Sequence, residues 1–270
     1  MKFARLLYCL GSPKLAALET FQMKPYYLQV KASLRLVICG CLLAFSASAV
    51  ADVAAGFDAA LAAAERSDAD KARDENRKPK QVLEFVGIGA GMTVLDLNAS
   101  TGWYSEVLSA AVGADGKVIA HNSPRRRDRT EAGITAKAER LGNITPIFAD
   151  IGSLGIDGEV DAAFTALNLH DKYNRSAENG RAYLADAFKA LKPGGVFGVI
   201  DHEGSAGQDN AALHRIEAAV AQEALEAVGF VVESVSDLLD NPADDHTLHM
   251  RDESLERNTD RFLIRARKPE

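Results

Sequence analysis

From Thr93 onward the sequence alternates between short apolar runs of strand length and longer stretches with helical spacing. This alternation is the strongest constraint on the fold. Residues 93–97 read as a short buried strand, 103–112 as a helix, 117–120 as a second strand, and 129–141 as a second helix. Residues 144–149 and 160–167 continue as strands, and 177–191 as a helix. Lys192-Pro193-Gly194-Gly195 reads as a sharp turn, 196–200 as a fifth strand and 210–228 as one helix. Residues 230–236 and 261–267 are the last two strands, with a long loop between them. Successive βα units imply a parallel sheet with helices on both faces. The closing order of helix, strand, loop and strand lets the final strand return antiparallel. The expectation is therefore an α/β, Rossmann-like domain with a mostly parallel seven-stranded sheet and an antiparallel last strand.

The first fifty-one residues differ from the rest. They hold all three cysteines (Cys9, Cys39 and Cys41) and a single acid, Glu19. Residues 31–51 read as a signal peptide. Lys31 and Arg35 supply the positive end, 36–45 the apolar stretch, and Ser48-Ala49-Val50-Ala51 the small residues of a cleavage site before Asp52. Met23 is an alternative start, because 23–51 alone has the form of a signal peptide. Such a leader places the mature chain in the periplasm or outside the cell, with no stable membrane insertion once it is removed. Cleavage leaves no cysteine, which excludes disulfides, thiolate nucleophiles and cysteine-ligated zinc. Without the leader the chain carries 25 basic and 37 acidic residues, a net charge of −12. A surface of that sign repels phosphate backbones, so nucleic acid is not an expected partner.

Residues 52–80 are expected to form a helical segment ahead of the α/β domain at 81–270. Within it, 54–66 is alanine-rich with helical spacing. Residues 68–80 are dense in charge, which reads either as a solvated helix and turn or as a lid over a ligand.

In an open α/β sheet, ligands bind outside the carboxyl ends of the strands. The residues there are Asp96-Leu97-Asn98-Ala99-Ser100-Thr101-Gly102, His121-Asn122, Asp150-Ile151, Asn168-Leu169-His170-Asp171 and Asp201-His202-Glu203. Histidine titrates near neutrality, so His170 is a candidate general base, with Asp171 and His202 beside it on the same rim; capping and orienting roles for His170 and Asp171 stay open. The histidines and carboxylates follow no compact metal-ligand spacing such as His-Glu-x-x-His, and no metal is expected.

Several segments resemble the exported class I methyltransferases of bacteria. They are Arg73-Asp74-x-x-Arg77-x-Pro79-Lys80, Gly91-Met92-Thr93-Val94-Leu95-Asp96-Leu97 and Gly102-Trp103-Tyr104-Ser105-Glu106. Further along come Asn168-Leu169-His170-Asp171, Leu191-Lys192-Pro193-Gly194-Gly195, Val199-Ile200-Asp201-His202, the run from Leu238 to His246, and Thr259-Asp260-Arg261-Phe262. The resemblance implies S-adenosylmethionine (SAM) as cofactor. Asp96, Asn98, Ser100 and Gly102 stand where the family has an acid followed by a glycine-rich loop. Asn122 takes the place of a ribose-binding acid, Asp150 and Ile151 fall at the adenine position, and Asn168 follows the fourth strand. Asn98 and Ser100 replace two of the glycines. Asn tolerates a left-handed backbone and Ser is small, so the turn can form with less room above it. Two readings follow: a SAM-dependent methyltransferase acting on an unidentified small-molecule or envelope acceptor, or an exported binding protein that kept the fold and lost catalysis. A hydrolase using the histidine rim is a third, disfavoured because no Gly-x-Ser-x-Gly elbow is present.

Overall fold

In the computed structural model, which describes residues 52–270, the helices α1 (Phe57–Ala62), α2 (Asp68–Lys71), α3 (Asp74–Arg77) and α4 (Pro79–Val86) precede β1 (Thr93–Leu97). The leader and the alternative start at Met23 lie outside the described residues. Next come α5 (Trp103–Val112), β2 (Lys117–Asn122), α6 (Arg127–Leu141), β3 (Ile144–Phe148), β4 (Val160–Ala166), α7 (Leu169–Tyr173) and α8 (Ala177–Ala190). The chain closes with β5 (Leu191–His202), α9 (Asn210–Leu213), α10 (Ala218–Val228), β6 (Val231–Ser236) and β7 (Arg261–Arg267).

The seven strands form one sheet in the order β3-β2-β1-β4-β5-β7-β6. Only β7 runs antiparallel, inserted between β5 and β6. The order reverses between β1 and β4, so the carboxyl ends of these two strands flank the switch point where ligands bind in such sheets. Strand residues alternate between the two faces. Val94, Val118, Ala162 and Leu263 join a core with Val82, Trp103, Leu108 and Ile134. Leu95, Ala163, Phe197 and Ile264 join the other, with Tyr183, Leu184, Leu225 and Phe230. Among the described residues no helix is long and apolar enough to cross a membrane.

Two segments depart from the expectation. Lys192-Pro193-Gly194-Gly195 does not precede β5 but lies inside it. Val160 pairs with Leu191 and Ala162 with Val196, so the four residues bulge out of an otherwise continuous strand, with Gly194 at φ 74°. Residues 210–228 are not one helix. His214 adopts a left-handed conformation at φ 54°, ends α9, and the chain runs extended through Arg215 and Ile216 before α10 begins. The reason is Arg215, which is fully buried. Its guanidinium donates to the carbonyls of Leu248 and Glu203 and to Asp244 Oδ1 (2.9 Å). A helix would carry that side chain elsewhere, and a buried guanidinium needs all these acceptors.

Arg215 also explains the Asp244-Asp245-His246 segment in the long loop before β7. Asp244 Oδ2 accepts from Asp260 N, His246 Nε2 bonds Asp260 Oδ2 and His246 Nδ1 bonds Ser205 Oγ. Asp245 caps Thr247 N. The segment is a clasp that pins the loop across the ends of β5 and β7.

The charge-dense stretch 68–80 is not a freely solvated helix. It folds as the single turns α2 and α3 against α5 and α6. Glu106, on α5, receives Lys137 Nζ (2.7 Å) and the guanidinium of Arg140, and Arg66 Nε lies 3.6 Å away. Lys137 also bonds Asp70 (2.6 Å), Arg66 pairs with Asp74, and Trp103 Nε1 donates to Asp70 O (2.9 Å).

Candidate functional site

Two cavities adjoin at the carboxyl ends of β1, β4 and β5. The first, of about 220 Å³, is floored by the loop after β1 (Asp96, Asn98, Ala99, Ser100, Thr101) and walled by Trp103, Tyr104, Arg73, Arg77, Leu167 and Asn168. The second, of about 450 Å³, is lined by Arg73, Asn76, Arg77, Leu167, His202, Glu256, Arg257, Thr259 and Arg261 among others. Arg73, Arg77 and Leu167 belong to both.

The loop after β1 takes the shape a glycine-rich turn would take. Asn98 (φ 57°), Ser100 (φ 55°) and Gly102 (φ 87°) are all left-handed. Gly102 is favoured by its backbone, and a Cβ there would also crowd the end of the Ile134 side chain, 2.5 Å from its Cδ1. The strain at the other two positions is held by β2. Ser100 N donates to Asn122 Oδ1 (2.9 Å), and Asn122 Nδ2 returns a bond to Ser100 O (3.0 Å). His121 Nδ1 lies 3.4 Å from Asn98 N, and its Nε2 bonds Ala149 O. Burial pushes the His121 imidazole down, so it stays neutral and can accept at Nδ1.

Within the first cavity three polar groups lack an adequate protein partner. Asp96 is buried and accepts only from Ser105 Oγ (2.6 Å), and burial pushes its carboxyl up to about 7. The Tyr104 hydroxyl is buried without a hydrogen bond. The Arg77 side chain makes no hydrogen bond or ion pair with any described residue. Its guanidinium stacks on Trp103 (4.5 Å) and Tyr104 (5.6 Å) instead. Groups as buried as Asp96 and Tyr104 are normally paired, and their meeting with the half-buried Arg77 in one cavity marks a candidate ligand site.

The second cavity is dominated by cationic side chains, Arg73, Arg77, Arg257 and Arg261, against one acid, Glu256. Arg261 is held by Asn76 O, Asn258 Oδ1 and Thr259 O. Glu256 and Arg257 are both left-handed (φ 48° and 60°), a strained pair that presents Arg257 at the rim. His202 is buried by its neighbours, which, with burial the largest cause and despite Asp201, push its imidazole down to about 3. Its Nδ1 bonds Thr259 Oγ1 (2.6 Å), and its Nε2 has no hydrogen bond to any described residue.

Of the residues expected from the sequence, Asp96, Asn98, Ser100 and Asn168 line the first cavity and His202 the second. Gly102 shapes the loop beneath. Asn122 is elsewhere: both halves of its amide are spent on Ser100. Asp150 is exposed and Ile151 packs beside the second core, and neither lines either cavity. His170 and Asp171 also stand apart from both cavities. His170 is buried with Nδ1 on Asp201 Oδ1 (2.6 Å). Burial alone would lower its imidazole, but the charge of Asp201, its bond to Asp201 and the nearby Asp171 carboxylate prevail and raise it to about 9. The His170 imidazole, and then His214, hold Asp171 well below the usual carboxylate range. Arg73, Arg77, Tyr104, Arg257 and Arg261 were not singled out from the sequence as ligand-facing. A charged run reads as solvent-facing, and only the packing of α3 against Trp103 turns Arg77 inward.

No protein-family model matches the sequence, and no curated protein sequence matches it either. Solved structures do match. A SAM-dependent methyltransferase from Aquifex aeolicus superposes with a TM-score of 0.56 at 22% identity, covering 73% of this chain and 92% of that one. The fold is that of the class I methyltransferases. The cyclase SpnF shares it as well, at TM-score 0.55 and 19% identity over 72% of this chain and 80% of its own. A possible exported protein from Bordetella parapertussis matches at TM-score 0.51 and 16% identity, covering 74% of this chain and 68% of that one. At these identities the likeness establishes architecture, and function has to be argued from the site.

Proposed function

We propose that the protein is a SAM-dependent methyltransferase whose acceptor is an anionic small molecule. The observation that carries this reading is the junction of the two cavities at Arg73, Arg77 and Leu167, over the switch point of the sheet. One cavity has groups that match the methionine end of SAM. Its carboxylate suits Arg77, its ammonium suits Asp96, and the Tyr104 hydroxyl offers a further hydrogen bond. SAM supplies a methyl group on a sulfonium, ready for displacement. The chain's own contribution is then to position the acceptor and to exclude water.

The arginines of the second cavity favour an acceptor bearing a carboxylate or phosphate, since guanidinium groups pair with both in fixed geometry. Neutral His202, tied at Nδ1 by Thr259, leaves Nε2 to accept a hydrogen bond from an acceptor hydroxyl or amine. Asn98 and Ser100 add side chains where glycine would leave space, and 220 Å³ is below the roughly 300–1,000 Å³ of common small-molecule sites. That observation, with Asn122 committed to Ser100, favours the second reading, an exported binding protein on the same fold. The leader at 31–51 and the resemblance to exported methyltransferases support export of the chain, which fractionation of cells expressing it would test.

Calorimetric titration with SAM and its demethylated product separates the two readings. The expected result is micromolar binding that Arg77→Met weakens at least tenfold. No binding at millimolar SAM by the folded protein would overturn the methyltransferase assignment.

A further inference from the structure

His170, Asp171 and His214 lie outside both cavities, and the proposed methyl transfer does not use them together. His170 and Asp171 lie in the first turn of α7. His214 ends α9, forty-three residues further on, where its left-handed backbone breaks the helix. One donor atom from each, His170 Nε2, Asp171 Oδ1 and His214 Nδ1, gathers within 4.8 Å of the others. Asp171 Oδ1 is 2.9 Å from His214 Nδ1 and 3.4 Å from His170 Nε2.

The decisive atom is His170 Nε2. It is buried and has no hydrogen bond, because Asp171 Oδ1 is at ion-pair distance but out of line. The opposite ring nitrogen is fixed. Nδ1 is bound to the fully buried carboxylate of Asp201 at 2.6 Å, and Asp201 is itself oriented by the backbone N–H groups of His170 and His202, both at 2.8 Å. With Nδ1 donating to a buried carboxylate, it is the Nε2 proton that a metal ion displaces, and binding there releases that proton and exposes the lone pair. That carboxylate–histidine arrangement is the support that metal-binding imidazoles use.

We infer that His170 Nε2, Asp171 Oδ1 and His214 Nδ1 form a binding site for a divalent transition-metal ion of the zinc type. Two imidazoles and a carboxylate are a donor set such ions accept. Bond lengths of about 2.0–2.2 Å to N and O donors put tetrahedral ligands roughly 3.3–3.5 Å apart. The 3.4 Å separation already fits, and the 2.9 Å one widens as His214, whose side chain is 41% exposed, turns away from Asp171 and toward His170 Nε2, which lies within 4.8 Å of its Nδ1. Asp171 and His214 both reach solvent, which leaves the fourth position to water. The bound ion joins α7 to the end of α9, and so braces the segments that follow β4 and β5. Nothing in this inference depends on SAM.

The test uses tag-free full-length protein stripped with a chelator, titrated calorimetrically with Zn²⁺ alone, and then loaded with Co²⁺ for visible spectroscopy. The expected result is one equivalent bound, a rise in unfolding temperature on addition of Zn²⁺, and a Co²⁺ spectrum of a four-coordinate site. His214→Ala and Asp171→Asn, both at partly exposed positions that spare the core, should each weaken Zn²⁺ at least tenfold while the circular dichroism is unchanged. Asp201→Asn, which removes the support without removing a ligand, should weaken it by about 10- to 100-fold. Absence of stoichiometric binding, or binding that survives His214→Ala and Asp171→Asn unaltered, would overturn the site and show adventitious capture by other surface groups.

Discussion

Asp96 carries a carboxyl in the wall of a cavity with one hydroxyl for company and no ion pair among the described residues. Burial raises it to about 7, so the folded protein holds its proton more tightly than the unfolded chain does. Its contribution to stability is complete below about pH 4 and is lost as pH rises toward 7, by an amount on the order of a few kcal/mol. Urea unfolding at pH 5 and pH 8 should show this fall in the native protein and a smaller one in Asp96→Asn. An unchanged difference would mean that Asp96 is not the group responsible. At this scale the sequence is informative where chemistry is local. The left-handed turn at Asn98 and Ser100 is legible because both residue types are adapted to it. The fate of Asn122 is not, since its partner is the backbone of Ser100, twenty-two positions earlier and on another strand's loop.

Elements show the same division. The inner strands of the sheet are legible because they are short apolar runs buried on both faces, whereas the edge strand β6 leaves Val231 and Val235 exposed and is legible from its place in the alternation. The break between α9 and α10 is invisible in the periodicity, because it exists to bury Arg215 against Asp244, a partner in a distant loop. Removing one member of a buried, fully bonded ion pair strands the other. Arg215→Met should therefore destabilise the fold by about 3–5 kcal/mol, measured by denaturant unfolding. The simultaneous replacement of Asp244 by Asn should recover part of the loss. The bulged Lys-Pro-Gly-Gly segment was legible as a turn but not as part of β5, because its continuity with the strand is set by pairing with β4 and not by its own residues.

Across the whole molecule, the wall of both cavities is attached to α5 and α6 through charge. Hydrogen bonds from Lys137 and Arg140 outweigh the burial of Glu106 and hold its carboxyl below the usual range, and Lys137 does the same for Asp70. Groups lowered in this way stabilise the protein above their ordinary range, and that stabilisation is lost as pH falls through the folded values. The wall should therefore loosen below about pH 4, ahead of the sheet. Trp103 is the one tryptophan in the chain and bonds Asp70 O, so its fluorescence should change before the circular dichroism does. Coincident transitions in native protein and in Glu106→Gln would reject that order of events. The wall's role in the cavities is legible in the sequence only as one of two options for a charged stretch, because the choice depends on where α5 and α6 place Glu106 and Lys137.

Arg261 Nη2 donates to Asn76 O at 2.6 Å, so the second cavity is closed by a bond between the last strand and a helix that precedes the first. A ribosome or an export channel handles the chain from one end to the other, and it releases the residues around Arg261 long after those around Asn76. An unfinished chain therefore holds the parts of the pocket without the pocket. The cavity closes only when Asn76 and Arg261 are both free to meet.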